Sequence, residues 1–242
     1  MARVAASGRV KAPGALWCDG AAQTAYLSHN SSFNVAGDFE EVALIERRTT
    51  LAFGSISGMW VTTAQHHRWQ VSNNSGAMSV QLSTTGSDTI TVTSTANLTL
   101  VVGTPLWTKV TVDVDNGAGG YDVKFWYAAL DKTTYAEPTS WTQLGSTVTG
   151  AGAISLYTSG TLRLDVGTFF DGSFGQWRCN IYRYIYRDGI DGTEVADLDF
   201  RTINPDSLYL GIIFWDRLGN IGAIGAGAQI RGRGNNVGRV AV

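Results

Sequence analysis

Apolar and polar residues alternate in short runs along most of this chain, and polar or glycine-rich turns separate the runs. The runs WQVS (69–72), SVQLST (79–84), TITVTS (89–94) and LTLVVG (98–103) follow one another closely. Alternation with a period of two is typical of strands that bury one face, and no helical pattern of useful length occurs. The pattern therefore predicts an all-β chain whose short strands are arranged as a sandwich.

The clearest hairpin lies at 108–130, TKVTVDVDNGAGGYDVKFWYAAL. Val110 and Val112 fall on one face of its first strand, and Asp113 falls on the other. The Asn-Gly pair at 116–117 is a strong signal for a tight turn between two strands. We therefore expect an antiparallel hairpin with one face in the core and one face in solvent.

A second run, NIYRYIYRDG (180–189), alternates aromatic and cationic residues. On a regular strand one face would carry Tyr182, Tyr184 and Tyr186, and the other would carry Ile181, Arg183, Ile185 and Arg187. Packing of the tyrosines between two sheets is the favoured interpretation, because each buried ring removes about 150–250 Å² from water. With the tyrosines packed inside, the arginine face would point outward and be available to an acidic neighbour. The alternative is that the tyrosines form an aromatic platform for a sugar.

Composition supports strands and tight turns. Of 242 residues, 44% are hydrophobic and only 16% are charged, and 29 glycines stand against 4 prolines. This length is sufficient for one β domain with a sizeable core.

Positive charge is concentrated at the two ends. Residues 1–18 and 217–242 carry seven cations and no carboxylate, so the stretch between them has a net charge of −9. The cations are too sparse for a nucleic-acid patch, and we expect the basic arms to dock on an acidic protein surface. The docking residues predicted in these arms are Arg3, Arg9, Lys11, Arg231, Arg233 and Arg239.

No apolar run reaches the ~18 residues of a membrane span, and the basic start MARVAASGRVKAPGALW lacks the apolar stretch of a signal peptide. We expect the protein to stay in the cytoplasm of the cell that makes it. Cys18 and Cys179 are the only cysteines and have no metal-ligand or redox spacing. Two unpaired thiols are favoured, with a disulfide as the alternative.

Three segments carry a resemblance to a known family: WTKVTVDVDNG (107–117), VKFWYA (123–128) and GTLRLDVGTFFDGSFGQWRCNIYRYIYRDG (160–189). They resemble the concanavalin A-like, laminin-G-like jelly roll over about residues 20–200. The chain is most similar to the version found in tailed-phage virion proteins, through WTQLGSTVTGAG (141–152), RDGIDGTEVADLDF (187–200) and WDRLGNIGAIGAGAQI (215–230).

The resemblance implies an all-β, two-sheet antiparallel jelly-roll sandwich with extended basic termini. It divides the chain into an N-terminal basic arm (1–19), a jelly-roll domain (20–216) and a glycine-rich basic segment (217–242). It further implies a non-enzymatic accessory protein of a tailed-phage virion, either a minor tail protein or a capsid decoration protein. Such a protein would assemble in the host cytoplasm in many copies, beside other capsid or tail subunits.

The architecture hosts many functions, so two alternatives remain. The first is a carbohydrate-binding module that recognises a host surface glycan, and the tryptophans predicted to stack on sugars are Trp60, Trp126 and Trp141. The second, a glycan hydrolase, needs two or three carboxylates in a set geometry. Glu194, Asp197 and Asp199 do not match the family's Glu-x-Asp-x-x-Glu spacing, and a solvated strand edge is expected instead.

Metal binding has weak support in the sequence. Asp113, Asp115, Asn116 and Asp122 offer hard oxygens such as calcium requires, but the glutamate that would complete a calcium loop is missing. A hairpin turn is the favoured interpretation, although laminin-G-like relatives sometimes hold calcium at the sandwich rim. We predict no cofactor.

The histidines also show no metal-binding pattern. His66 and His67 are adjacent, so on a regular strand they would point to opposite faces and could not share a metal. His29 is isolated in the sequence.

Overall fold

The computed structural model describes residues 14–19, 25–49, 53–72, 76–169, 178–202, 213–224 and 229–231. In these residues the chain is built from strands and turns, with a short 3-10 turn at Ser31–Phe33. In chain order the strands are β1 Ala15–Asp19, β2 Ala25–Leu27, β3 Phe39–Arg47, β4 Phe53–Val61, β5 Ala64–Ser72, β6 Ala77–Leu82, β7 Ile90–Asn97, β8 Pro105–Asp113, β9 Gly120–Ala129, β10 Thr142–Gln143, β11 Val148–Ala151, β12 Leu164–Val166, β13 Arg178–Asp188, β14 Thr193–Asp199, β15 Ile213–Trp215, β16 Ile221–Ile224 and β17 Gln229–Arg231.

The strands form two antiparallel sheets. The larger sheet has the order β10-β9-β8-β3-β13-β1-β17, with β11 also paired to β9 and β14 to β13. The smaller sheet has the order β15-β16-β2-β12-β4-β5-β6-β7. The all-β, two-sheet antiparallel jelly-roll sandwich predicted from the sequence is confirmed.

The main core lies between the two sheets. Apolar side chains alternate into it from both sides, as the sequence pattern predicts. From the hairpin of β8 and β9, Val110, Val112, Val123 and Phe125 are all fully buried there. The turn predicted at 116–117 connects these two strands.

The tyrosine strand β13 departs from regular alternation. Its pairing with β3 shifts between Ile181 and Arg183, so Tyr182 is the extra residue of a β-bulge. Tyr184 and Tyr186 lie in the main core, as expected, but so does Ile181. The prediction that all three tyrosines share one face was therefore wrong: Tyr182 packs on the outer face of the larger sheet.

That outer face carries a second apolar cluster. Its buried members are Ala15, Val42, Leu44, Trp107, Ala128, Tyr182 and Ile185. Tyr135 and Trp141, from the segment between β9 and β10, pack against it. Lys109 and Thr111, on the face expected to be solvated, are only 7% and 4% exposed. The hairpin's second face is thus largely covered by chain, which alternation along a single strand does not reveal.

The sheets include strands on both sides of the predicted domain limits 20–216. β1 pairs with β13 on one side and with β17 on the other. Arg3, Arg9, Lys11, Arg233 and Arg239 lie outside the described residues, and Arg231 is described through its backbone in β17. Within the described ranges, no helix has the length and apolar character needed to cross a membrane.

Candidate functional site

Strand register places aromatic and charged residues in rows across the outer face of the larger sheet. Trp126 on β9 lies opposite Lys109 on β8, which lies opposite Val42 on β3. Directly opposite residues point to the same face. In the next row, Glu40 of β3 lies opposite Arg187 of β13. The sheet therefore gathers these side chains from strands that are far apart in sequence.

Trp126, Trp141 and Lys109 form what we call the tryptophan–lysine cluster. The Lys109 ammonium is 4.9 Å from the ring centroid of Trp141 and 5.6 Å from that of Trp126, within the range of cation–π contact. Both indoles are half-buried, so part of each remains open to solvent. The Trp126 indole Nε1 donates to Thr111 Oγ1 at 3.4 Å. The cluster is an aromatic surface held in place by a nearly buried cation.

Carboxylates flank this cluster and meet at Arg187. Glu40, fully buried, accepts from Arg187 at 2.5 Å and lies 3.2 Å from Lys109 Nζ. Arg187 also donates to both oxygens of Glu137, at 2.9 and 2.6 Å, and to Glu194 at 3.0 Å. Because Glu137 belongs to the segment between β9 and β10, these ion pairs hold that segment over the sheet.

The charge balance around Arg187 favours its protonated form. Burial acts to lower the pKa of this guanidinium, but the hydrogen bonds that it donates to Glu137, Glu40 and Glu194 and the charge of Glu137 outweigh burial and raise the pKa above the ordinary value. Arg187 is therefore a permanent cation at the centre of an acidic group.

The carboxylates considered for catalysis occupy the same face. Asp197 is 1% exposed and accepts a bidentate pair from Arg183 at 2.8 and 2.9 Å. Asp199 is 6% exposed and pairs with Arg201. The expectation of a solvated strand edge was wrong for these two aspartates. The arginine face of β13 is not free either, because Arg183 pairs with a carboxylate on β14 and Arg187 pairs with carboxylates on β3 and β14.

The outer face of the smaller sheet carries a second aromatic and cationic group. Arg68 on β5 lies over the rings of Trp60, at 5.2 Å, and Phe169, at 4.3 Å, and donates through Nε to Gln81. In the same sheet Arg163 lies 4.2 Å from the Tyr26 ring centroid.

Trp60 is thus separated from the other two predicted tryptophans by the thickness of the sandwich. It is 5% exposed and lies beneath a guanidinium, whereas Trp126 and Trp141 share one cation and retain exposed surface. Of the three tryptophans, only Trp126 and Trp141 are brought together.

His66 and His67 point to the same side, contrary to expectation. The β4–β5 register passes from Met59–His67 to Trp60–Gln65, so His66 is the extra residue of a bulge. Both rings are fully buried, with Nδ1 atoms 2.6 Å apart. The prediction of opposite faces was wrong because it assumed a regular strand.

The two histidines continue a hydrogen-bonded chain through the core. His66 Nε2 lies 2.9 Å from the Val35 carbonyl, which can only accept, so His66 donates there and its Nδ1 must accept from His67. His67 Nε2 lies 3.1 Å from Glu41 Oε1. Burial, together with the charge of His67, lowers the pKa of His66 to about 3, although the Val35 carbonyl opposes this shift. His66 is therefore neutral.

Glu41 is the other end of this chain and ties the sheets together. Its Oε1 accepts from Ser57 Oγ of the smaller sheet at 2.6 Å and from the Tyr184 hydroxyl of its own sheet. Glu41, Ser57 and Tyr184 are all fully buried. Burial raises the pKa of Tyr184 well above its usual value, and the charge and hydrogen bond of Glu41 raise it further. Because all of these side chains are buried, no ligand can reach the network. Its role is structural: it is a buried hydrogen-bond network that connects the two sheets.

The side-chain oxygens considered as calcium ligands form hydrogen bonds within the turn between β8 and β9. Asp113 and Asp115 accept from backbone amides two residues ahead, and Asn116 accepts from the amides of Ala118 and Gly120. Asn116 also donates to Asp122. No group of three His, Cys, Asp or Glu side chains suited to a metal occurs among the described residues. His29 contacts the Leu162 carbonyl through Nδ1 at 3.1 Å.

Sequence reasoning missed Lys109 and Arg68 as members of the aromatic groups, and it missed Arg187 as the centre of the carboxylates beside the first group. Lys109 alternates with valines on β8 like any surface residue, and Arg68 follows the histidine pair without a motif. The observed register pairs Lys109 with Trp126. A two-residue turn at 116–117 would instead have placed Lys109 opposite Lys124, so the sequence carries no signal for this pair.

Comparison with known proteins finds no matching family model and no matching curated sequence. A candidate carbohydrate-binding protein from Bacteroides ovatus superposes with a TM-score of 0.58 at 12% identity, over 96% of this chain and 66% of its own. Domains LG4–5 of the mouse laminin α1 chain give 0.49 at 14% identity, over 80% and 46%. The CBM40 of a Ruminococcus gnavus IT-sialidase gives 0.45 at 12%, over 73% and 88%.

The chain thus spans about two thirds of the length of the Bacteroides ovatus protein. At this identity the superposition shows a shared fold. The structural neighbours of this chain are laminin-G-like and carbohydrate-binding jelly-roll sandwich domains.

Proposed function

We propose that this protein is a non-catalytic carbohydrate-binding sandwich, and that the tryptophan–lysine cluster is its binding surface. The observation that carries the proposal is the meeting of two half-buried indoles around Lys109 on the covered face of the larger sheet. The fold shared with a candidate carbohydrate-binding protein supports it. Carbohydrate binding was the alternative in the sequence analysis, and here it becomes the leading proposal.

The chemistry of the cluster suits a sugar. A pyranose ring has one face of C–H bonds, which packs on an indole, and a rim of hydroxyls, which needs charged or polar partners. The exposed parts of Trp126 and Trp141 can pack against the C–H face. The ammonium of Lys109, 5.6 and 4.9 Å from the two ring centroids, is a charged partner for the hydroxyls. The ion pair of Lys109 with Glu40 fixes the cation before a ligand arrives, so little ordering entropy is lost on binding.

The pairing of nearby carboxylates supports a non-catalytic role. Glycoside hydrolysis requires one free carboxyl as acid and a second as nucleophile or base. Glu40 and Glu194 are both held by Arg187, and Asp197 is held by Arg183 and also by Arg217 at 2.9 Å. Groups held in this way are poorly suited to exchange protons with a substrate.

A glycan array followed by calorimetry tests the proposal. We expect Trp126→Ala and Trp141→Ala each to weaken binding of the selected glycan at least about tenfold, which corresponds to about 1.4 kcal/mol. Trp17→Ala is the matched control, because Trp17 is also a half-buried indole with a cation over it, 4.6 Å from Arg48, on a distant strand. Failure of the intact protein to bind across cell-surface and cell-wall glycans would refute the proposal.

The array also distinguishes the two faces of the sandwich. If Arg68→Ala abolished binding while both tryptophan variants bound normally, the binding surface would lie on the smaller sheet. Thermal melting of each variant confirms that loss of binding is not loss of folding.

We also propose, from the sequence resemblance and from the basic ends that flank an acidic body, that the protein is an accessory component of a tailed-phage virion. Assembly would take place in the host cytoplasm, with the arms docked on capsid or tail subunits through charge-assisted hydrogen bonds. Mass spectrometry of purified particles tests this idea, and absence from the particle would refute it. Loss of incorporation on deleting 1–14 or 232–242, with unchanged melting of the free protein, would identify the arms as the docking elements.

A further inference from the structure

The two cysteines lie directly opposite each other on neighbouring strands. β1 and β13 are antiparallel, and Cys18 pairs with Cys179 in their register. Directly opposite residues in such a pair have Cα atoms about 4.5 or 5.5 Å apart and side chains on the same face. Both separations fall within the range that a disulfide spans.

The surroundings bring the two sulfur atoms together. Both side chains are fully buried in the main core, and their thiols are hydrogen-bonded to each other. From the smaller sheet, the backbone of Gly167 approaches Cys18 so closely that a Cβ there would lie 2.9 Å from Sγ. Both cysteines are free thiols in this structure. The thiols are therefore confined to a small space with each other as partners.

We propose that Cys18 and Cys179 form a redox-sensitive disulfide that fastens β1 to the centre of the larger sheet, with a small disulfide such as oxidised glutathione as its oxidant. One cysteine thiolate attacks oxidised glutathione, forms a mixed disulfide and releases one glutathione. The other cysteine then attacks the mixed disulfide and releases the second glutathione. The protein loses two hydrogen atoms, and one oxidised glutathione becomes two reduced molecules.

The burial of both cysteines limits oxidation to moments when β1 has opened. Burial raises the pKa of Cys179 well above its usual value, and the hydrogen bond that its thiol donates to Cys18 raises it further, so little thiolate exists in the closed state. Oxidation therefore requires β1 to separate from β13. β1 is a short strand whose other described neighbour, β17, pairs with it at three positions, so β1 opens more readily than the interior of the sheet.

The bond would act mainly on the unfolded chain. It closes a loop that contains most of the sandwich, and a long loop loses much conformational freedom when its ends are joined. We therefore expect the oxidised protein to be harder to unfold than the reduced protein.

The test exposes the full-length reduced protein to a glutathione redox buffer, with and without sub-denaturing urea, and traps free thiols with N-ethylmaleimide. We expect an intramolecular Cys18–Cys179 disulfide by peptide mapping, formed faster in urea, and a higher urea midpoint that reductant reverses. Cys179→Ala should retain one trappable thiol or a glutathione adduct at Cys18.

Other outcomes would overturn the proposal. These are two free thiols after exposure to urea and oxidant, stable glutathione adducts on the native-sequence chain, disulfide-linked dimers, or an oxidised form with a lower urea midpoint. Since mapping is performed on the native sequence, the result does not depend on the folding of a variant.

Discussion

The buried histidine pair shows how single residues connect the two sheets. His66 is neutral because its ring is fully buried beside His67, and its only fixed donor bond goes to the Val35 carbonyl. His67 connects it to Glu41, which in turn holds a hydroxyl from each sheet. Uptake of a further proton by His66 would place two donors face to face at the Nδ1 contact.

The histidine network predicts acid sensitivity. The pKa of His66 is about 3 in the folded chain against 6.5 for an ordinary histidine, so between these pH values the unfolded chain binds a proton that the native chain does not. Stability should therefore be unaffected by this group above about pH 6.5 and fall as pH drops below it, by at most about 5 kcal/mol in total. Urea unfolding at several pH values between about 4.5 and 6.5 measures the slope before most carboxylates titrate.

A substitution at His66 tests whether this residue causes the dependence of the free energy of unfolding on pH. His66→Gln keeps a donor for the Val35 carbonyl but cannot titrate, so the dependence of stability on pH should flatten. His29→Gln, at a half-buried histidine that also contacts a backbone carbonyl, is the matched control. An equal slope in His66→Gln and the native sequence would contradict the assignment.

At the scale of elements, bulges and turns decide which side chains meet. One extra residue in β5 turns two histidines to one side, and one extra residue in β13 moves Tyr182 out of the core. Alternation predicts the strands themselves well, because burial of one face is a local consequence of period two. A bulge depends on the partner strand, so the sequence of a single strand does not reveal it.

The turn between β10 and β11 illustrates a contact between sheets. Gly145 has φ +73, and a Cβ there would lie 2.3 Å from Thr95 Oγ1 and 2.9 Å from the Ala96 amide nitrogen, both on β7. Gly117, in the β8–β9 turn, has φ +71 but open space around it.

We predict that Gly117→Ala costs about 1 kcal/mol from left-handed backbone strain alone. Gly145→Ala should cost about 1–3 kcal/mol more, because the added methyl also forces the turn away from β7. Urea denaturation of both variants measures the difference. If both variants lost the same free energy of unfolding, the β10–β11 turn would be able to move away from β7 without cost.

At the scale of the whole molecule, strands from near the two ends of the sequence pair with each other at one edge of the larger sheet. β17 pairs with β1, and β1 contributes Leu16 and Cys18 to the main core. Part of the predicted C-terminal segment therefore belongs to the sandwich, while Arg233 and Arg239 lie outside the described residues. Their role in docking stays a prediction.

This arrangement predicts different effects for two deletions. Removing 229–242 deletes β17 and leaves one edge of β1 unpaired, so the melting temperature should fall by about 3–8 °C, on a scale of about 2–4 °C per kcal/mol for a chain of this size. Removing 232–242 keeps β17 and its pairing with β1, so the melting temperature should stay above that of the longer deletion. Differential scanning calorimetry compares them, and equal melting temperatures would show that β17 adds no stability.

The sequence by itself determined the class of fold, the β8–β9 hairpin and the burial of Tyr184 and Tyr186. These follow from periodicity and turn chemistry, which act over a few neighbouring residues. The sequence also named Trp126 and Trp141, although without showing that they meet.

Only the tertiary structure decided which distant residues became partners. Arg187 meets Glu40 and Cys18 meets Cys179 because strands far apart in sequence are adjacent in the sheet. Lys109 contacts two indoles because the hairpin register and the segment after β9 bring Trp126 and Trp141 to it. Register and bulges set those pairings, and both result from packing two complete sheets against each other rather than from any one strand's sequence.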